Sequence, residues 1–118
     1  MNQLIAPYGG TLVNLIDPAK SVALKQEALS LPSLDLDWRQ QCELEMLLTG
    51  AYSPLTGFMT RTQCERVETD SQLDDGTFWP LPVTLASKQK AAADLKSGDR
   101  VALRDGEGFM LAILTVSD

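Results

Sequence analysis

The sequence contains no histidine and only two cysteines, Cys42 and Cys64. Histidine is the usual general base near neutral pH and the commonest side-chain ligand of transition metals, so its absence excludes Ser-His, Cys-His and His-metal chemistry. Two thiols are too few for a four-thiolate zinc site, and these two lie too far apart for a redox Cys-x-x-Cys pair; the expectation is buried free thiols. Basic residues are also scarce. Ten Lys and Arg stand against sixteen Asp and Glu, a net charge of −6, so a phosphate backbone would meet repulsion instead of a basic stripe. The longest apolar run, Phe109 to Leu114, falls far short of the ~18 residues that cross a bilayer. The first residues, Met1 to Pro7, lack the positive region and apolar stretch of a secretory signal. These absences predict a cytoplasmic protein with no membrane segment and no nucleic-acid partner. A Gly-x-x-x-x-Gly-Lys-Ser/Thr loop is missing too, and Gly106-x-Gly108 has Leu111 where a dinucleotide fingerprint needs its third glycine, so nothing cradles a triphosphate through backbone amides.

What remains is an ordinary globular composition of 118 residues, 44% hydrophobic and 22% charged. That length suits a single domain over 1–118, able to bury roughly two-thirds of its unfolded surface without a disulfide or metal. Leu12, Val13, Leu15 and Ile16 follow the turn Pro7-Tyr8-Gly9-Gly10 and predict a short strand. Asp17 caps a helix with Pro18 at its first position, which stops before Pro32. Leu34-Asp35-Leu36 is too short for more than an extended connection. Asp37 then caps a second helix whose apolar face is Leu44, Leu47, Leu48 and Ala51, extended by Trp38 and Cys42 and stopped by Gly50. Thr60 caps a shorter helix through Val67, with Glu65 and Glu68 outward. Beyond the Asp74-Asp75-Gly76 turn the pattern becomes mainly strand. Leu81, Val83 and Leu85 alternate with Pro82 and Thr84, as on a sheet edge; Ser87 to Leu95 reads as a short helix. Arg100 to Arg104 and Phe109 to Val116 flank a glycine-rich turn and predict an antiparallel pair. Early helices and late strands make an α+β domain.

The chemistry-bearing residues have plainer alternatives. Gly57 could admit a ligand to close approach, but a tight turn with Pro54 fixing φ and Gly57 at positive φ fits its neighbours better. Asp35 and Asp37, or Asp74 and Asp75, could pair as acids or metal ligands; each pair lies beside a cap or turn and lacks the further ligands of a calcium loop. Arg100 and Arg104 share one strand face and could fork onto a phosphate or sulfate, or else form solvated ion pairs with Asp99 and Asp105. Trp79-Pro80 could stack a base, but no Lys or Arg surrounds it, which favours packing.

Three stretches carry a resemblance. Leu4-Ile5-Ala6-Pro7-Tyr8-Gly9-Gly10 with Leu12 to Leu15 resembles the opening segment of the ATP sulfurylases, or sulfate adenylyltransferases, where many members have His in place of Tyr8. Arg39 to Leu48 followed by Gly50-Ala51-Tyr52-Ser53-Pro54-Leu55-Thr56-Gly57-Phe58-Met59 is similar to that family's helix and Ser-Pro-Leu-x-Gly-Phe-Met signature, with Tyr52 where Phe is common. Asp75 to Leu85 and Gly98 to Asp105 complete the match, in order, to the family's N-terminal domain.

The resemblance implies a PUA-like pseudo-barrel with helices packed around it. It also implies that this chain is a fragment of a longer one, with or without a fused adenylyl-sulfate kinase, whose catalytic domain follows residue 118. The family's Gln-x-Arg-Asn and His-x-x-His sequences are absent here. A parent nucleotidyltransferase of sulfate assimilation would join sulfate to Mg-bound ATP, giving adenylyl sulfate and pyrophosphate by in-line attack on the α-phosphorus. This part alone would be inactive, with no catalytic, cofactor or metal residue. Its expected partners are the catalytic domain and other copies of the parent. The expected interdomain contact is Tyr52, Pro54, Leu55, Phe58, Met59 and Trp79, because a turn dense in large apolar groups is costly to leave in water. Two rivals make different predictions. One is a free-standing PUA-like protein-binding module without enzymatic activity; the other is an RNA reader with steeply salt-dependent binding.

Overall fold

The computed structural model describes residues 4–86 and 94–117. The chain divides into two compact units, one built from Met1–Ile16 and Glu43–Thr84, the other from Asp17–Cys42 and Leu85–Asp118. The helices are α1 (Ser21–Ala28), α2 (Trp38–Thr49) and α3 (Arg61–Asp70); the strands are β1 (Ser33–Asp35), β2 (Arg100–Arg104) and β3 (Met110–Thr115). Short 3-10 turns occupy Tyr8–Gly10 and Pro18–Lys20. Together these make the α+β architecture that the change in periodicity predicts. None of the described helices is long and apolar enough to cross a membrane.

The second unit is organised around β2. Its three central residues, Val101, Ala102 and Leu103, are all buried. Side chains alternate across a strand, so three consecutive buried positions require that both faces of β2 be covered. The sheet order is β1-β2-β3. β3 pairs antiparallel with β2, with a register shift between Leu103 and Arg104, and the Asp105 carboxylate closes the turn by accepting from the Glu107 and Phe109 N–H groups. On its other edge β2 pairs in parallel with β1. The segment around Leu34 is therefore a short strand and not merely a connection. Its partner lies nearly seventy positions later in the chain, too distant for local periodicity to reveal. The Leu36 N–H continues the pairing by donating to the Arg104 carbonyl at 2.8 Å.

Helix starts follow their caps. Asp17 accepts from the Ala19 N–H and opens the Pro18–Lys20 turn that leads into α1. Asp37 and Gln40 exchange hydrogen bonds of 2.8 and 3.0 Å at the start of α2, a capping box. Thr60 and Gln63 form another at α3, which runs three residues past the expected Val67 because Ser71, at φ 53°, supplies the left-handed stop. Trp38 is 79% exposed, so it does not extend the buried face of α2 formed by Leu44 and Leu47, and Ala51 lies beyond the helix end. The predicted helix at Ser87 to Leu95 falls largely outside the described residues.

The first unit has its own core. Leu47, Leu55, Met59, Val67 and Val83 are buried together, and Tyr52, Phe58, Cys64, Leu73 and Trp79 pack around them. Removing each such aliphatic side chain from water contributes ~1.5–3 kcal/mol. Two expected strands here are extended segments without a sheet ladder. The Val13 N–H donates to Ser53 Oγ and the Leu15 N–H to the Leu48 carbonyl. At the other segment Val83 exchanges bonds with Met59: the Met59 N–H donates to the Val83 carbonyl at 2.8 Å, and the Val83 N–H to Met59 Sδ at 3.5 Å. Side chain, sulfur and helix-end acceptors replace a neighbouring strand, so alternating apolar residues arise without a sheet.

Candidate functional site

The Gly50–Met59 loop leaves α2 through a tightly satisfied turn. Gly50 takes φ 90°, and a Cβ there would lie 2.8 Å from Leu12 Cδ1 and 2.9 Å from the Val13 carbonyl oxygen. Glycine is required on both counts, by its left-handed backbone and by the close approach of the Leu12-Val13 segment. Ser53, only 4% exposed, fastens that approach: its Oγ accepts from the Val13 N–H at 2.9 Å and donates to the Gly50 carbonyl at 2.7 Å. The Ser53-Pro54 peptide is cis, and the Leu55 N–H returns to the Tyr52 carbonyl. Pro54 in turn packs against Gly9, where a Cβ would come within 2.7 Å of its Cγ. The positive φ expected at Gly57 is not found; the loop reverses at Gly50 to Leu55, and Gly57 has open space where a Cβ would stand. A close backbone approach is thus made by Gly50 and Gly9 and not by Gly57.

Three aromatic rings surround this loop. The Trp79 ring meets Tyr52 edge to face at 5.8 Å and Tyr8 at 6.2 Å, separations at which such pairs attract. Two of their polar tips are occupied by main-chain carbonyls: Tyr8 OH donates to Phe78, and Trp79 Nε1 donates to Leu81 at 2.7 Å. Among the six residues expected to make an interdomain contact, Leu55 and Met59 are 8% and 9% exposed and belong to the core, while Tyr52, Pro54, Phe58 and Trp79 are half-buried around it. Beside them Tyr8 and Leu12, 51% and 61% exposed, reach solvent, as do Phe78 and Leu81 at 62% and 49%. Sequence reasoning missed the latter two. The signal available for Phe78 was its place next to Trp79, where an inward tryptophan leaves the adjacent side chain facing out; for Leu81 no such local signal exists.

The charged candidates have structural partners. Arg100 forks onto Glu27, with Nε 2.5 Å and Nη2 3.1 Å from its two carboxylate oxygens. Arg104 donates to the carbonyls of Gly108 and Ala28. Neither pairs with its chain neighbour Asp99 or Asp105 as expected; a strand side chain points away from the residue next to it and reaches across the sheet instead. Asp75 accepts from Thr77 in the turn after α3, and that hydrogen bonding holds its carboxyl below the usual range. Cys42 and Cys64 are free but half-buried, not buried. Partial desolvation, followed by the hydrogen bond and charge of Glu68, pushes the Cys64 thiol up. Among the described residues no three Cys, Asp or Glu side chains gather as a metal donor set. What the arrangement offers is an apolar surface on a hydrogen-bonded backbone.

Comparison with known proteins agrees with that architecture. The model for a PUA-like domain matches residues 5–118. A sulfate adenylyltransferase of Synechococcus sp. (strain JA-3-3Ab) is 44% identical over 97% of this chain, which spans 29% of that protein. A probable bifunctional SAT/APS kinase 2 of Sorangium cellulosum is 40% identical over 98% of this chain, which spans 20% of it. The solved structure titled hexameric APS kinase from Thiobacillus denitrificans is 77% identical with a TM-score of 0.92, covering 98% of this chain and 24% of that one. The chain thus spans less than a third of the length of these relatives, and the stretch it matches in the sulfate adenylyltransferases is their N-terminal part. The chain belongs to the PUA-like domain family, in the form shared with the N-terminal part of sulfate adenylyltransferases.

Proposed function

We propose that this chain is the non-catalytic N-terminal domain of a sulfate adenylyltransferase, serving as a scaffold for a catalytic domain that follows residue 118. The observation that carries this reading is the disparity in coverage: 44% identity extends over 97% of this chain but only 29% of the relative. The chemistry of its residues supports it. A chain with no histidine, no triphosphate loop and no gathered acid cluster among its described residues must leave ATP, Mg and sulfate to another part of the polypeptide. Tyr52, Pro54, Phe58 and Trp79, backed by Leu55 and Met59, would form the side turned toward that part. The 77% identity to a chain titled APS kinase favours a parent that carries an adenylyl-sulfate kinase as well and assembles from several copies. Two free thiols suit a reducing, cytoplasmic setting.

Two measurements test the reading. Reading the gene past the codon for Asp118 should reveal Gln-x-Arg-Asn and His-rich sequences; a stop codon there would leave a free-standing module. Purified residues 1–118 should produce no pyrophosphate from ATP and sulfate, and clear turnover would refute the assignment.

A further inference from the structure

We propose that Phe78 and Leu81 are the contact points through which this unit docks onto a later segment of its own polypeptide; the proposal rests on the reading above and identifies its docking surface. The first argument is preorganisation. Tyr8 OH holds the Phe78 carbonyl, Trp79 Nε1 holds the Leu81 carbonyl, the Trp79 N–H donates to Ser71 at 2.8 Å, and Gln72 bridges to Phe78. The backbone from Phe78 to Leu81 is thereby fixed from both sides, with Pro80 between, while the two apolar side chains project outward. A presented pair held this way loses little conformational entropy when it is covered.

The second argument selects the occupant. Phe78 to Val83 contains no charged side chain, and the whole chain carries −6, which disfavours a nucleic acid or an anionic membrane. Two side chains also bury too little surface to hold a free second copy against the entropy of association. A tethered segment escapes that restriction, because its effective concentration reaches the millimolar range without any further contact. The relatives carry such a segment, since this chain spans only 20–29% of them.

The test uses the full native polypeptide with Phe78 replaced by the photoreactive p-benzoylphenylalanine. Irradiation and peptide mass spectrometry should reveal a cross-link from position 78 to a peptide beyond residue 118 of the same polypeptide. A product only between two copies, one confined to residues 1–118, or none would overturn the proposal. In a second measurement the double variant Phe78→Ser, Leu81→Ser leaves the buried core untouched and should speed hydrogen exchange in the cross-linked downstream peptide. Unchanged exchange there would overturn it as well. If the reading frame stops at Asp118, the proposed function fails and the docking with it; if the frame continues and no cross-link forms, only the docking fails.

Discussion

Replacing Ser53 with alanine removes one oxygen from the centre of the first unit, and the consequence can be worked bond by bond. Ser53 Oγ donates to the Gly50 carbonyl at 2.7 Å and accepts from the Val13 N–H at 2.9 Å. The Gly50 carbonyl retains a partner in Ser53→Ala, because the Ser53 N–H also donates to it at 3.1 Å. The Val13 N–H loses the acceptor it has, in a half-buried position. Stranding one such donor costs about 1–3 kcal/mol. For 118 residues the unfolding entropy is about 0.25 kcal/mol per kelvin, so Tm should fall by roughly 4–12 °C. Urea unfolding should show a lower midpoint with an unchanged m-value, and the Val13 amide should lose hydrogen-exchange protection. A loss below about 0.5 kcal/mol, the range of ordinary surface substitutions, together with unchanged Val13 protection, would refute the assignment of Ser53 as the fastener of the N-terminal segment.

Gly50→Ala should cost more than Gly76→Ala: both glycines have φ near 90°, worth about 1–2 kcal/mol on substitution, but only at Gly50 would the new Cβ also meet a backbone oxygen, at 2.9 Å. Equal losses in urea unfolding would remove the steric argument. Cys64 should react with iodoacetamide at pH 8 more slowly than a free thiol, because desolvation and Glu68 raise its pKa, and Glu68→Gln should speed it; an unchanged rate would count against the contact. Asp75 has a lowered carboxyl in the fold, so its contribution to the turn is complete above the unfolded value of about 3.9 and is lost as pH falls through the folded one. Thr77 amide exchange, corrected for intrinsic rates, should therefore rise in acid, and Asp75→Asn should abolish that dependence.

The sequence is legible where a feature depends on near neighbours. Asp37 with Gln40 and Thr60 with Gln63 are caps because donor and acceptor lie three residues apart, and the turn around Gly108 needs only Asp105 upstream of it. These features set the helix starts and the β2-β3 pair. Leu34 and Val83 fail as local readings for the opposite reason. Leu34 becomes a strand because Leu103 lies beside it, whereas Val83, at the centre of a better alternating pattern, finds Met59 and no strand. Alternation reports a half-buried extended backbone; the ladder that turns it into a sheet is supplied by residues elsewhere in the chain.

The same division explains the site. The apolar loop from Tyr52 to Met59 is conspicuous in sequence, yet density of large side chains does not distinguish the residues that build a surface from those that display it. Leu55 and Met59 turn inward because the loop folds over Leu47, Val67 and Val83. Trp79 stands edge-on to Tyr52 with its indole N–H on the Leu81 carbonyl, while Phe78 and Leu81 stay exposed. Sequence therefore identifies the cluster, while the folded contacts decide which of its members stay exposed. Tyr8 OH and Trp79 Nε1 each donate to a main-chain carbonyl, so neither is left to orient a small polar ligand, an arrangement that fits the proposed protein segment better than a substrate.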